Sequence, residues 1–318
     1  MPKTPSESTV RLRLHGATMG TRWAVQCDAP IGLDRAALQQ ALAAVVDAVD
    51  QQMSPWKTGS DLMRLNRAPV GDWVQLPCEI MQVLACALRV GRASQGAFDI
   101  AAAALVNAWG FGAPRSMPDA AAIAAARAPG HVAAHEALEL DALGQRARKN
   151  APAQFDLCGI AKGYAVDRMH ALLQAHGVAH ALIALDGELR ALGPQAGGEP
   201  WAVAVEAPDA HQRSVHGVLE LQDMAVATSG NYRHFLQLGP ARVAHTMDTR
   251  RGAPVANDVA CVTVLAAQCM AADAWATALL VAGPGPGLAL AQSQGLQALW
   301  LLRRAGKLVS LGMGRFAS

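Results

Sequence analysis

The residues of this chain best suited to chemistry lie in separate stretches whose types and spacings fit the handling of phosphate. In Asp156-Leu-Cys-Gly-Ile-Ala-Lys-Gly-Tyr-Ala-Val-Asp167 an acid, glycines, a lysine and an aromatic stand together at the mouth of a helix. A turn there leaves backbone N–H groups free near the helix start, where the dipole favours an anion, and Lys162 adds a fixed positive charge one turn in. Read alone, the same stretch also fits an ordinary amphipathic helix whose Lys and Asp face water. Further on, Asp273 and Thr277 stand at i and i+4 of an expected helix, so both oxygens share one face. Between these, His245-Thr-Met-Asp-Thr-Arg-Arg-Gly252 collects polar residues where a strand ends. An imidazole of ordinary pKa, about 6.5, accepts a hydroxyl proton at neutral pH. Taken one at a time, these residues also read as a solvated Asp, a Thr bonded to its i−4 carbonyl and a surface His. The 156–167 stretch contains neither GxxxxGK[ST] nor GxGxxG, which excludes the common nucleotide fingerprints there.

The elements that must position these groups follow from periodicity. Apolar residues recur at helical spacing through Ile160, Tyr164, Met169, Leu172 and Leu173, and Gly177 closes the run as a C′ residue, so a short strand, a turn and a helix are expected. Residues 10–26 alternate loosely and read as a strand pair broken at Gly16. Asp34 caps a helix whose Leu38, Leu42, Val45, Val49 and Met53 form one stripe ending before Pro55. A loop then carries Trp56 and a short Ser60-capped helical turn. Residues 77–94 and 118–128 read as helices, 100–109 as an apolar segment, and 131–149 as a hairpin. Beyond Gly177 come short strands at 181–185, 188–192, 201–206, 218–221 and 225–228, and residues 232–238 pair with 242–247 across Gly239-Pro240. Residues 259–266 read as a buried strand, 269–281 as the helix of Asp273, and 283–287 as a tight loop. The tail reads as helix, strand, a turn at Ala305-Gly306, and strand. Neither an internal repeat nor a linker is visible.

Composition narrows the class. At 318 residues the chain makes one large domain or two small ones. Charged residues are 16% and the net charge is +2, so no basic stripe suggests nucleic acid and no polybasic run suggests anionic lipid. Any anionic ligand must be gripped locally. Cys27, Cys78, Cys86, Cys158, Cys261 and Cys269 are scattered without CxxC or zinc spacing, so buried free thiols in a reducing compartment are expected. Residues 1–14 carry Lys3, Glu7, Arg11 and Arg13 and lack the apolar core of a signal peptide. No apolar run approaches the roughly 18 residues that span a bilayer. A cytoplasmic protein without a transmembrane segment is expected, although a periplasmic or membrane-anchored chain whose leader had been removed would read the same.

Taken together, Thr18-Met-Gly-Thr21, Gly96-Ala-Phe-Asp99, the 156–167 stretch, Thr228-Ser-Gly-Asn-Tyr232, His245 to Gly252 and Ala272-Asp-Ala-Trp-Ala-Thr277 resemble the ApbE family, the FAD:protein FMN transferases. The motifs run in the family's order over essentially the whole chain. The resemblance implies an α/β fold of the compact, two-lobed, T-fold-related ApbE kind. It would be a single domain whose lobes, about 10–150 and 151–315, pack intimately, with a mixed sheet flanked by helices and FAD in the cleft. It implies Mg²⁺-dependent cleavage of the substrate FAD at its pyrophosphate, transfer of FMN through its phosphate to a Thr or Ser of a target flavoprotein, and release of AMP. Similarity sets Met19, Trp56, Ala97, Phe98 and Asp99 around the FAD, Asp156 and Lys162 on the dinucleotide, and Met247 in the pocket wall. The metal would take oxygens from Asp273, Thr277 and the backbone carbonyl of Gly159. His245 would be the base for the incoming hydroxyl, with Asp248 in the same catalytic motif.

Some positions depart from the family's pattern. Cys158 stands where many members have a small residue, and Thr249 and Arg251 replace the Pro and Thr of His-x-x-Asp-Pro-x-Thr-Gly. Ala184 and Asp186 replace a common Asn and Gly. Ala276 replaces a second Asp that some members place before the Thr, so a single metal is expected. An FAD pyrophosphatase yielding free FMN and AMP, and a protein that holds FAD without turnover, are the rival expectations.

Overall fold

The computed structural model describes residues 9–112, 117–127, 130–209, 212–239 and 241–317. One sheet of eight strands organises it, in the order Thr9–Thr18, Thr21–Pro30, His180–Leu185, Glu188–Leu192, Ala225–Gly230, Val259–Ala266, Gln297–Arg304 and Lys307–Met313. The α/β class expected from the sequence is what is found. Within the sheet every neighbouring pair is antiparallel, so helices and strands are mixed but strand directions are not. The reason is local: three of the pairs are joined by tight turns, which can only link antiparallel strands. Met19 and Gly20 (φ 46° and 71°) and Ala305 and Gly306 (φ 48° and 75°) have the two successive positive φ values of hairpin turns. The first hairpin therefore turns at Met19-Gly20 and not at Gly16. Gly16 stays inside its strand because the Trp23 indole lies over it, 2.6 Å from where a β-carbon would sit.

Alternation along the strands sorts residues onto two covered faces. Trp23, Val25, Ile183, Leu185, Ala225, Ala227, Val262 and Val264 pack into the main core with helices Arg35–Met53, Ala161–Ala175 and Cys269–Ala282. On the other face Ala191, Val226 and Leu265 meet Trp201, Val203 and Leu221 of the ribbon Trp201–Glu206/Val215–Leu221. This is why residues 259–265 are buried without a break: the strand is sandwiched, and an uninterrupted apolar run fits that place. Asp34 caps the first helix by accepting from the N–H groups of Ala36 and Ala37, and Leu38, Leu42, Val46, Val49 and Met53 form its buried stripe. Burying each such side chain contributes about 1.5–3 kcal/mol.

Other expectations shift by a turn or more. Residues 283–287 are not a loop. Gly283 (φ 77°) ends one helix, and Pro284 begins the next, Pro284–Ser293, where the first turn has no use for its missing N–H. The 100–109 segment is helical only over Ala103–Ala108, and the Ala-rich helix runs Ala120–Ala126 under an Asp119 cap; its expected end at Ala128 lies outside the described residues. The 131–149 hairpin is Leu138–Asp141 with Arg146–Lys149, preceded by the short helix Ala134–Ala137, and Trp73–Gln75 joins it as a third strand. Pro240, in the expected 239–240 turn, also lies outside the described residues. All six cysteines are free, but Cys78 and Cys158 are exposed rather than buried. Among the described residues no helix is long and apolar enough to cross a membrane.

Candidate functional site

Helices Ala161–Ala175 and Cys269–Ala282 cross closely, and a glycine makes this possible. A β-carbon on Gly163 would lie 2.5 Å from the Cys269 carbonyl oxygen and 2.9 Å from the Asp273 β-carbon. In place of that contact the Gly163 N–H donates to Asp273 Oδ2 at 3.1 Å. One turn further along, Asp167 grips the same partner helix: its carboxylate accepts from the N–H groups of Cys269 and Met270, each at 2.9 Å. The helix Cys269–Ala282 has no side-chain cap of its own, so Asp167 supplies it from another element. Arg190 braces Asp167 at 2.6 Å. The registry of Asp273 against the 156–167 turn is thus set at two points. We expect Asp167→Ala to lower stability by about 1–2 kcal/mol in urea denaturation, the typical value of a lost cap; an unchanged midpoint would mean the cap is dispensable.

Gly159, Asp273 and Thr277 come together here. A β-carbon on Gly159 would sit 3.3 Å from Thr277 Oγ1 and 3.4 Å from the Phe98 ring, so only glycine leaves the space open. Ser229, at the end of its strand, holds the Thr277 hydroxyl at 2.8 Å. Asp273 is buried, and burial pushes its carboxyl up to about 6 against the opposing charge of Lys162 and the Gly163 N–H. Lys162 does not reach freely into solvent. Its Nζ lies 3.0 Å from Glu188 Oε1, 2.9 Å from Oε2 and 3.3 Å from Asp186 Oδ2. Burial favours its neutral form, but the charges of Glu188, Asp273 and Asp186 outweigh this and hold it above the usual lysine range. Burial likewise raises Glu188, opposed by the ammonium. Two buried carboxylates and one half-exposed one therefore share a single ammonium.

That imbalance bears on a metal. Among the described residues no group of three or more His, Cys, Asp or Glu side chains is arranged to hold an ion. The buried Asp273 carboxylate and the Thr277 hydroxyl one turn along the same helix are hard oxygen donors, of the kind that suits a cation taking its remaining ligands from phosphate and water. The helix Ala161–Ala175 has no side-chain cap from Ile160; the Gly163 N–H of its first turn is taken by Asp273 and the Ala161 N–H by the Leu157 carbonyl.

The 245–252 loop is tied to Asp99, next to the Phe98 ring that packs against Gly159. His245 is half-buried, its Nδ1 lies 2.9 Å from the His234 carbonyl oxygen, and the rings of His234 and Phe111 pack edge-on to it. A carbonyl can only accept, so Nδ1 carries the proton and Nε2 presents a lone pair. Burial pushes the ring down to about 4, the His234 bond opposes this, and the His234 and Lys162 charges add to it. The ring is neutral at neutral pH. Asp248 is buried and chelated by Arg250, which donates from its N–H at 3.1 Å, Nε at 2.9 Å and a terminal nitrogen at 3.1 Å. Met247 beside it is buried.

The remaining residues named from the resemblance each have their own surroundings. The Asp99 side chain is buried with its oxygens taken: Oδ1 accepts from the N–H groups of Ala101 and Ala134, and Oδ2 from Thr249 Oγ1 and from His131 at 2.7 Å. Burial alone would raise this carboxyl, but His131 and the N–H donors hold it below the usual range. Its visible work is to tie the 245–252 loop to the 94–99 segment, where Arg250 also lies against Gly96. Thr249, a departure from the family's proline, is one of its donors. Ala97 and Phe98 are buried. Asp156 shapes its turn by accepting from the Cys158 N–H at 2.7 Å. Met19, in its hairpin turn, lies at the same end of the sheet as Asp186, whose N–H bonds to the Arg22 carbonyl. Trp56 is 53% exposed, so its ring is not a core residue, and no described contact joins it to Asp273.

Glu188, Ser229 and Asp167 were not read from the sequence as parts of this arrangement. Glu188 left a faint signal, an acid opening a short strand whose only other charge is Arg190. Ser229 and Asp167 lie within quoted motifs, but their partners were not visible because they stand 48 and 102 positions away.

Comparison with known proteins identifies the family. The ApbE family model matches residues 19–300. A FAD:protein FMN transferase of Klebsiella pneumoniae is 34% identical, over 96% of this chain and 87% of its own length, and one of Salmonella typhimurium is 33% identical over 96% and 88%. The solved flavin transferase ApbE from Vibrio cholerae superposes with a TM-score of 0.86 at 32% identity, covering 97% of this chain and all of that one. The apo form of the flavinyl transferase ApbE of Pseudomonas stutzeri gives 0.84 at 33% identity, over 96% and 95%. The match spans the 156–167 turn, the 245–252 loop and the Asp273 helix in a single alignment, and the chain belongs to the ApbE family.

Proposed function

We propose that this protein is a Mg²⁺-dependent FAD:protein FMN transferase that cleaves the FAD pyrophosphate, joins FMN by a phosphoester to a Thr or Ser of a target flavoprotein, and releases AMP. The observation that supports it is the packing of Thr277 against Gly159, with Asp273 one turn away on the same helix bonded to the start of the Lys162 helix, and a neutral His245 close enough to feel the Lys162 charge.

Each side chain then has a task. His245 Nε2 takes the proton of the acceptor hydroxyl, whose oxygen forms the new bond to the FMN phosphorus as the bond from that phosphorus to the AMP oxygen breaks. Lys162 and the helix start hold phosphate charge, and Glu188 and Asp186 keep the ammonium aimed. Asp273, the Gly159 carbonyl and Thr277 would hold Mg²⁺, with Ser229 orienting the Thr277 hydroxyl. Bound there, the ion would neutralise charge on the departing phosphate. Asp99 and Thr249 keep the His245 loop docked. Trp56 offers an exposed face to the flavin, so Trp56→Ala should weaken FAD binding measurably by fluorescence titration without lowering stability. Unchanged affinity would remove Trp56 from the flavin site.

The test is to incubate the protein with FAD, Mg²⁺ and candidate flavoprotein domains and look for flavin fluorescence on the denatured target. Covalent label with an equal amount of AMP is expected. Free FMN and AMP without label would make the protein a pyrophosphatase, and intact FAD a binding protein.

A further inference from the structure

Phe235–Leu238 and Ala241–Ala244 form a ribbon of two strands that, among the described residues, pairs with no other strand. Such a ribbon is marginal by itself in water, and its edges carry unpaired backbone groups. Its second strand leads directly into His245. The contact of His245 Nδ1 with the His234 carbonyl extends the ribbon one position beyond the Phe235–Ala244 pair. The ribbon therefore ends at the base.

The acceptor chemistry restricts what can arrive there. A Ser or Thr hydroxyl stands one bond beyond its β-carbon, so the target's own backbone must come up beside His245. A chain lying that close must satisfy its N–H and C=O groups, and the free edge of Ala241–Ala244 supplies complementary ones. Charge points the same way. Residues 231–247 contain no Asp or Glu, but they include Arg233, His234, Arg242 and His245. Arg233 is paired with Glu206, whereas the recorded contact of the exposed Arg242 is with the Phe235 ring, its guanidinium 4.5 Å from the ring centre.

We propose that the acceptor segment of the target flavoprotein docks as a third, extended strand on the Ala241–Ala244 edge, delivering its Ser or Thr hydroxyl to His245 Nε2 and an acidic side chain to Arg242. Strand docking of this kind rests on the transferase reading above. It makes the acceptor a flexible or edge segment of its protein with an acid near the modified residue, not a hydroxyl on a rigid helix.

The probes are short synthetic peptides with one Thr, carrying either Asp or Lys three residues from it, since Arg242 and His245 are three apart along the strand, and the Asp peptide with alternate backbone amides N-methylated. Label is followed with parental enzyme and with Arg242→Glu, and an intact flavoprotein domain serves as control. The Asp peptide should exceed the Lys peptide in kcat/KM by about three- to tenfold, and Arg242→Glu should invert the order. N-methylation on the paired side should lower labelling about tenfold or more, since it removes ladder hydrogen bonds. Equal labelling of the Asp and Lys peptides, or indifference to N-methylation, overturns the proposal. So does label on the intact domain with none on any peptide, because the target is then recognised as a folded surface. A domain that parental enzyme leaves unlabelled defeats the transferase reading itself, and FAD affinity measured alongside separates that failure from loss of the flavin site.

Discussion

Asp273→Asn should abolish FMN transfer at ordinary Mg²⁺, by at least about 10³-fold, while the protein keeps its fold. Loss of one preorganised electrostatic group in a closed site typically costs about 10²–10³-fold, and Asp273 is also the only carboxylate proposed for the metal. The substitution is nearly isosteric, and an Asn oxygen can still accept from the Gly163 N–H. Stability moves the other way. Burial raises the folded pKa of Asp273 from 3.8 to about 6. The stability contributed by its neutral form is fully present below about 3.8 and is lost as pH rises through about 6. At pH 7 and without a divalent ion, the Asn variant should therefore be at least as stable as the parent. Adding Mg²⁺ with FAD should stabilise the parent and not the variant. Thr277→Val should impair transfer less, since it removes a hydroxyl and no charge. Full transfer by Asp273→Asn, or by the parental protein in excess EDTA, would sink the metal assignment and the main support for the transferase reading.

His245→Ala should slow transfer by about 10²–10⁴-fold with FAD affinity nearly unchanged, as loss of a general base does. The pH profile supplies a second readout. Burial and nearby charge push His245 down to about 4, so the ring is neutral and able to accept a proton throughout the neutral range. Protonation removes the base only as pH falls towards 4. In kcat/KM, which reports the free enzyme, any acid limb due to His245 should lie near pH 4 instead of the usual 6.5. His245→Gln should be as slow as the Ala variant, because a side chain of similar size still cannot take the proton. An acid limb at ordinary histidine pH that vanishes in both variants would show that the ring is solvated. Parental rates in both variants would assign the base to another group.

Local rules carried much of the outline. The Asp34 cap, the Leu38–Met53 stripe, the Ser60-capped turn, the Val259–Ala266 run and the i, i+4 relation of Asp273 and Thr277 each depend on residues within about one turn or one strand of each other. Such windows are complete in the sequence, and the co-linear motifs added family membership. Where the local signal was ambiguous, boundaries slipped. Gly283 to Gly287 has the composition of a loop, yet one glycine with positive φ followed by Pro at a helix start makes the same letters a boundary between two helices.

The tertiary structure decided how the candidate groups are held. Lys162 is read from the sequence as a phosphate-facing charge, but only the fold brings Glu188 and Asp186 to it. Asp99 is read as a flavin contact, but only the fold shows its carboxylate consumed by His131, Thr249 and two N–H groups. Asp167 caps a helix about 100 residues away, Ser229 orients Thr277, and Gly163 sets how closely two helices cross. The physical reason is common to all of these. A side chain's type and its near neighbours determine what it can do, whereas its hydrogen-bond partner, burial and proton affinity depend on which distant segment packs against it, and that is settled only when the sheet and its helices close.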